Sequence, residues 1–100
     1  MTVEIEDRRR RGDINRLPGL GLANGTWFAI VFLKGMAGLV EQRKTTDPWV
    51  VSPRQSKRMA AIVEKWTPPE TWGSDDAGRR ADLKQTIVDF LYNCNGFRTF

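Results

Sequence analysis

The chain has no histidine and a single cysteine, Cys94, among its 100 residues. Histidine is the side chain whose ordinary pKa lies nearest neutral pH, and it is the commonest general base and metal ligand. A lone thiol builds neither a disulfide nor a zinc site. Most familiar catalytic constellations are therefore closed to this chain. It is expected to be a non-enzymatic protein without metal or cofactor. A long apolar run is also missing. The longest, Trp27 to Leu33, extends to Val40 only across Lys34 and two glycines. A membrane-spanning helix needs roughly 20 apolar residues, so this run is a core element and no membrane partner is expected. Met1 is followed by acids and arginines rather than an apolar stretch, so no signal peptide is read there. One cysteine fits a reducing compartment, and a cytoplasmic location is expected.

What is present is enough for one ordinary domain: the chain is 40% hydrophobic and carries four tryptophans. The formal net charge is +4. The excess is uneven along the chain. Residues 1–16 carry five arginines against four acids, and residues 34–66 carry seven bases against three acids. Residues 70–100 carry four bases against five acids. By this count an acidic partner meets the middle of the chain.

Three helices are expected after a charged head. In the head, Glu4/Arg8, Glu6/Arg10 and Asp7/Arg11 are spaced i,i+4, which suits a short exposed helix ended by Gly12. Pro18 to Gly21 reads as a loop. Asn24-Gly25-Thr26 can cap a first long helix from Trp27 to about Arg43, although Phe28 to Leu33 also reads as a buried strand. Ser52-Pro53-Arg54-Gln55 is a capping-box start for a second helix, with Met59, Ile62, Val63 and Trp66 at i, i+3, i+4, i+7 and Pro68-Pro69 as the stop. A third helix starts near Ser74-Asp75-Asp76, turns Leu83, Ile87, Val88, Phe90, Leu91 and Cys94 inward, and closes at Asn95-Gly96. The fold expected is a small all-α single domain of three to four helices. Residues 1–25 form its basic N-terminal segment and glycine-rich loop, and residues 26–100 its core helices.

Candidate binding residues follow from charge and aromatics. On the second helix Arg54, Lys57, Arg58 and Lys65 fall on one arc away from the apolar stripe, as a phosphate-tracking or acid-binding face would. The run Arg8, Arg9, Arg10, Arg11 can act as a basic arm, though the acids upstream partly neutralise it. Trp49 and Trp72 sit in turn-like sequence, where a tryptophan either anchors an interface or closes a small core. Gly19 to Gly25 is only a weak match to a phosphate loop, with no strand pattern before it. Glu70, Asp75, Asp76 and Asp82 are more simply helix-capping acids than metal ligands. Cys94 reads as a small buried hydrophobe.

This profile of a short compact chain, no catalytic set, loop tryptophans and surface charge of both signs resembles the small inhibitor proteins of phages and mobile elements, anti-CRISPR proteins among them. The resemblance implies a protein that docks on a protein or ribonucleoprotein complex handling nucleic acid and blocks its nucleic-acid path, in the host cytoplasm. No residue pattern carries it, so no functional residue transfers with it. The alternative is a small basic protein that binds DNA or RNA directly through the helix over 53–66. The helices before and after Pro48 are only loosely like a helix-turn-helix, because the connection is long.

Overall fold

The computed structural model describes residues 2–40 and 49–100. Its element order is β1 (Thr2–Asp7), β2 (Leu20–Ala23), α1 (Asn24–Val31), β3 (Trp49–Val51), α2 (Pro53–Lys65), α3 (Ala77–Asn93) and β4 (Phe97–Thr99). The four strands form one sheet in the order β2-β1-β4-β3, with every neighbouring pair antiparallel. The all-α expectation is therefore wrong: the fold is mixed α and β.

The error begins at the charged head. Val3, Ile5 and Asp7 are buried while Thr2 and Glu4 are exposed, which is the period of two of a strand. Charges four residues apart share a face in either period, so the three i,i+4 pairs could not separate strand from helix. The β-branched Thr2, Val3 and Ile5 were the better guide. Because β1 and β4 are the central strands, the N-terminal segment lies inside the sheet and is no appendage.

The first helix is also shorter than the sequence suggested. It covers Asn24–Val31 and has no side-chain cap. Asn24, Gly25 and Thr26 form its first turn. After Val31 the chain leaves the helix, and Gly35 sits at φ +95°, a conformation that costs other residues steric strain. The part of that expectation over residues 41–43 lies outside the described residues.

The other two helices match their signals. Ser52 Oγ accepts from the Gln55 backbone N–H at 3.2 Å, and the Gln55 side-chain oxygen Oε1 accepts from the Ser52 N–H at 3.1 Å. Asp76 caps α3 by accepting from the Arg79 N–H at 2.9 Å.

All three helices and the 32–40 segment cover one face of the sheet. Val3, Ile5, Leu22, Val51 and Phe97 from the strands meet Trp27 and Ile30 of α1, Met59 and Val63 of α2, and Ile87 and Leu91 of α3. Phe97 is the centre, with Trp27 edge-on at 5.9 Å and Phe90 at 6.4 Å between ring centroids. Ile62 and Trp66 are half-buried rather than fully inward. The α2/α3 contact carries a buried polar pin: the Ser56 hydroxyl donates to the Leu91 carbonyl at 2.6 Å and lies 3.2 Å from Cys94 Sγ.

Met59 is fully buried in this core. Met59→Ala is expected to cost about 2–5 kcal/mol, the range for truncating a buried aliphatic side chain. Urea unfolding of the two proteins measures it.

Candidate anion-binding site

The helix-covered face of the sheet leaves the other face open among the described residues. Glu4, Glu6, Arg98 and Val50 lie on this outer face, because their neighbours along each strand point into the core. The β4 register sets Arg98 between Glu6 of β1 and Val50 of β3.

At the end of β1 the chain turns through Arg8 to Arg16, and Asp7 organises that turn. Its carboxylate is buried and accepts four hydrogen bonds: from the backbone N–H of Arg9 at 3.0 Å, of Leu17 at 3.0 Å and of Asn95 at 3.3 Å, and from the Arg9 guanidinium at 2.9 Å. Burial alone would push the carboxyl up. The three backbone N–H groups and the Arg9 charge outweigh it and hold Asp7 below its usual range.

Arg9 also donates to the carbonyls of Asn15 and Asn93. Arg16 donates to the Arg9 carbonyl at 2.9 Å and pairs with Glu6 at 3.5 Å. Further bonds from Asp13 N–H to the Arg10 carbonyl and from Arg16 N–H to the Asp13 carbonyl close the turn.

Arg9 and Arg16 are thus consumed in bracing the turn. Arg8, Arg10 and Arg11 are left with no ion pair among the described residues. They line a cleft of about 310 Å³ together with Arg9, Arg16, Arg98, Phe100, Glu6 and Asp7. Six arginines face two carboxylates there, a surplus of four positive charges. That equals the net charge of the whole chain.

The cleft adjoins the N-terminal end of α2. Arg8 Cδ and Pro53 Cδ each lie 3.1 Å from where a Cβ on Gly96 would be, so both flank that glycine. Gly96 has φ +75°, and its Cβ would stand 2.6 Å from the Val51 carbonyl oxygen. Only glycine lets the three segments close up. Next to Pro53 come the exposed Arg54, Lys57 and Arg58, with Lys57 Nζ 5.8 Å from the centroid of the Tyr92 ring.

The structure therefore joins two expected sites, the arginine run and the α2 face, into one basic end. Lys65 is left out. It sits at the far end of α2 beside Leu33, Lys34, Ile62 and Trp66.

The tryptophans divide. Trp72 is buried, stacks edge-on with Trp66 at 5.1 Å, and donates its indole N–H to the Thr26 carbonyl at 3.0 Å. It closes the core and offers a partner no surface. Trp49 is exposed on the edge strand β3.

Charge is polarised along the antiparallel α2/α3 pair. From Glu64 to Asp82 five acids stand against three bases, and Arg80 there and Lys84 next to it are tied to the backbone carbonyls of Glu70, Ser74 and Glu64. No group of three or more His, Cys, Asp or Glu that could hold a metal occurs among the described residues. Burial pushes the Cys94 thiol up, although the Ser56 hydroxyl works against it, so the thiol stays protonated at neutral pH.

The glycine-rich stretch 19–25 is no phosphate loop, since Leu20–Ala23 is a strand that runs straight into α1. No helix-turn-helix occurs among the described residues, where β3 stands between α1 and α2. Reasoning from the sequence missed Arg98, Arg16 and Phe100 as members of the cleft. The alternation Phe97-Arg98-Thr99 after Asn95-Gly96 was the signal for Arg98, a lone charge between two inward residues.

Set beside known protein families, curated proteins and solved structures, the chain matches none of them.

All four partners of the Asp7 carboxylate are donors, so an amide NH₂ in its place opposes some of them. Asp7→Asn is expected to cost about 3 kcal/mol, the scale for leaving buried donors unsatisfied and a buried ion pair broken. A carboxyl held below its usual 3.8 stabilises the fold above that pH. This contribution fades as pH falls below 3.8 toward the folded value. Urea midpoints measured down that range are expected to fall more steeply for the native chain than for Asp7→Asn.

Proposed function

We propose that this protein is a non-catalytic binder of nucleic acid, gripping phosphates with its basic end. The observation that carries the proposal is the segregation of charge. Arg8, Arg10, Arg11 and Arg98 line one cleft, Arg8 lies beside Pro53 at the start of the α2 face of Arg54, Lys57 and Arg58, and none of the seven has an ion pair among the described residues. An acid-poor basic surface is the electrostatic footprint of phosphate binding. By sequence alone the 16 bases and 12 acids argued for a mixed-sign inhibitor surface. Among the described residues the fold gathers Arg8, Arg10, Arg11 and Arg98 at one cleft without ion pairs, which shifts the preference to direct binding.

The absence of histidine and the inert thiol support a non-enzymatic role. No helix of the described residues is long and apolar enough to cross a membrane. One cysteine, buried and unpaired, suits a reducing cytoplasm.

A second reading keeps the docking inhibitor of a nucleic-acid-handling complex. It is favoured by one feature, the edge strand β3, where Trp49 and Val50 stand exposed.

Anisotropy of a labelled single-stranded oligonucleotide separates the two. With about five phosphates engaged, affinity is expected to fall about a hundredfold between about 50 and 200 mM salt, because condensed counterions are released. Reversing Lys57→Glu and Arg58→Glu together is expected to weaken binding by more than about tenfold, with the core untouched. Salt-insensitive binding, or full affinity in the double reversal, would overturn direct phosphate recognition.

A further inference from the structure

We propose that the arginine cleft receives the terminal phosphate of a nucleic-acid strand, a monoester at a strand end, while the α2 face follows the backbone. The inference rests on the nucleic-acid reading above and assigns the cleft its own role within it.

Shape is the first argument. The cleft is more enclosed than the apolar clefts beside α2 and α3. Its volume of about 310 Å³ lies at the small end of the range for sites that hold one small ligand. The braced turn walls it on one side and Arg98 with Phe100 on the other. A recess of that size takes one phosphate group, and a strand end seats there without the chain having to bend in and out again.

Charge is the second. A phosphate monoester carries about −1.5 to −2 at neutral pH, whereas a diester carries a single charge. The cleft offers four guanidinium groups without an acid partner among the described residues: Arg8, Arg10, Arg11 and Arg98. That surplus fits the more highly charged group.

Residue choice is the third. Every cation lining the cleft is arginine, although the chain holds five lysines. The guanidinium fork binds oxyanions through paired hydrogen bonds, while an ammonium acts as a point charge. The α2 face, where Lys57 stands among arginines, suits backbone tracking. The cleft suits three clustered phosphate oxygens.

Preorganisation is the fourth. Asp7 and Glu6 hold Arg9 and Arg16, and those two arginines hold the turn, so the remaining guanidinium groups project from a fixed frame. Phe100 lies two residues beyond Arg98 and is 45% exposed, which offers the terminal base a ring to stack on.

The test uses the full chain and one single-stranded deoxyoligonucleotide in three forms, with a 5′-phosphate, with a 3′-phosphate, or with hydroxyls at both ends. Binding is read at about 150 mM salt, where weak surface attraction is screened. One phosphorylated form is expected to bind at least about tenfold tighter than the dihydroxyl form, the effect of one added set of charge-assisted hydrogen bonds. Arg11→Gln on the exposed turn and Arg98→Gln on β4 are each expected to bring that ratio close to one. Lys57→Gln is expected to weaken all three forms and preserve the ratio. Equal affinity for the three forms in the native chain would overturn the end-binding role and leave backbone binding standing. A phosphoserine peptide held more tightly than the phosphorylated strand would also overturn it, and so would a ratio that survives both arginine variants. Failure to bind any of the three strands would overturn both this role and the nucleic-acid reading.

Discussion

The carboxylate of Asp7 sets the geometry on which the rest of the molecule's chemistry depends. It sits at the end of the central strand β1, on the inward face, where an unpaired charge would be costly. Three backbone N–H groups and one guanidinium meet it there, from the turn after β1, from Leu17 and from Asn95 before β4. One buried group thus ties three chain segments together. Without it, the turn would lose the anchor that faces Arg8, Arg10 and Arg11 outward and the lock between the two central strands.

Arginines are easy to gather on a surface and hard to hold close, because like charges repel. Here the repulsion is met by two carboxylates that neutralise only the bracing arginines, and by Gly96, which lets Arg8 lie against the start of α2. The arginines left over face one cleft, while the stretch from Glu64 to Asp82 carries five acids against three bases. A molecule polarised in this way orients itself as it approaches a polyanion, which raises the rate of productive encounter.

The legible parts of the sequence were those with local signals. Helices α2 and α3 announce themselves through Ser52-Pro53 and Asp76 and through stripes of period 3.6, and the α2 face of Arg54, Lys57 and Arg58 follows from its start. The sheet was not legible, because its strands are three to six residues long and pair across the whole chain. β1 joins β4 over more than 90 residues of sequence, a contact no local pattern encodes. The cleft shares that fate. Arg8 to Arg11 stood out as a run, but their union with Arg98 depends on the β1/β4 register, and the division into bracing and free arginines depends on Asp7. Charge counted along the chain placed the excess in the middle, whereas the fold sets Arg98 beside the end of β1 and Arg8 beside the start of α2, which no count along the chain shows.

The central claim is that a single basic end, held by Asp7, is where the partner binds. Backbone amide shifts in a ¹⁵N-resolved NMR titration with a phosphorylated single-stranded oligonucleotide test it most directly. The account predicts that the perturbed amides cluster at Arg8 to Arg11, Gly96 to Phe100 and Arg54 to Arg58, and that those from Glu70 to Asp82 stay in place. Perturbations centred instead on Trp49 and Val50, or scattered over the acidic end, would contradict it.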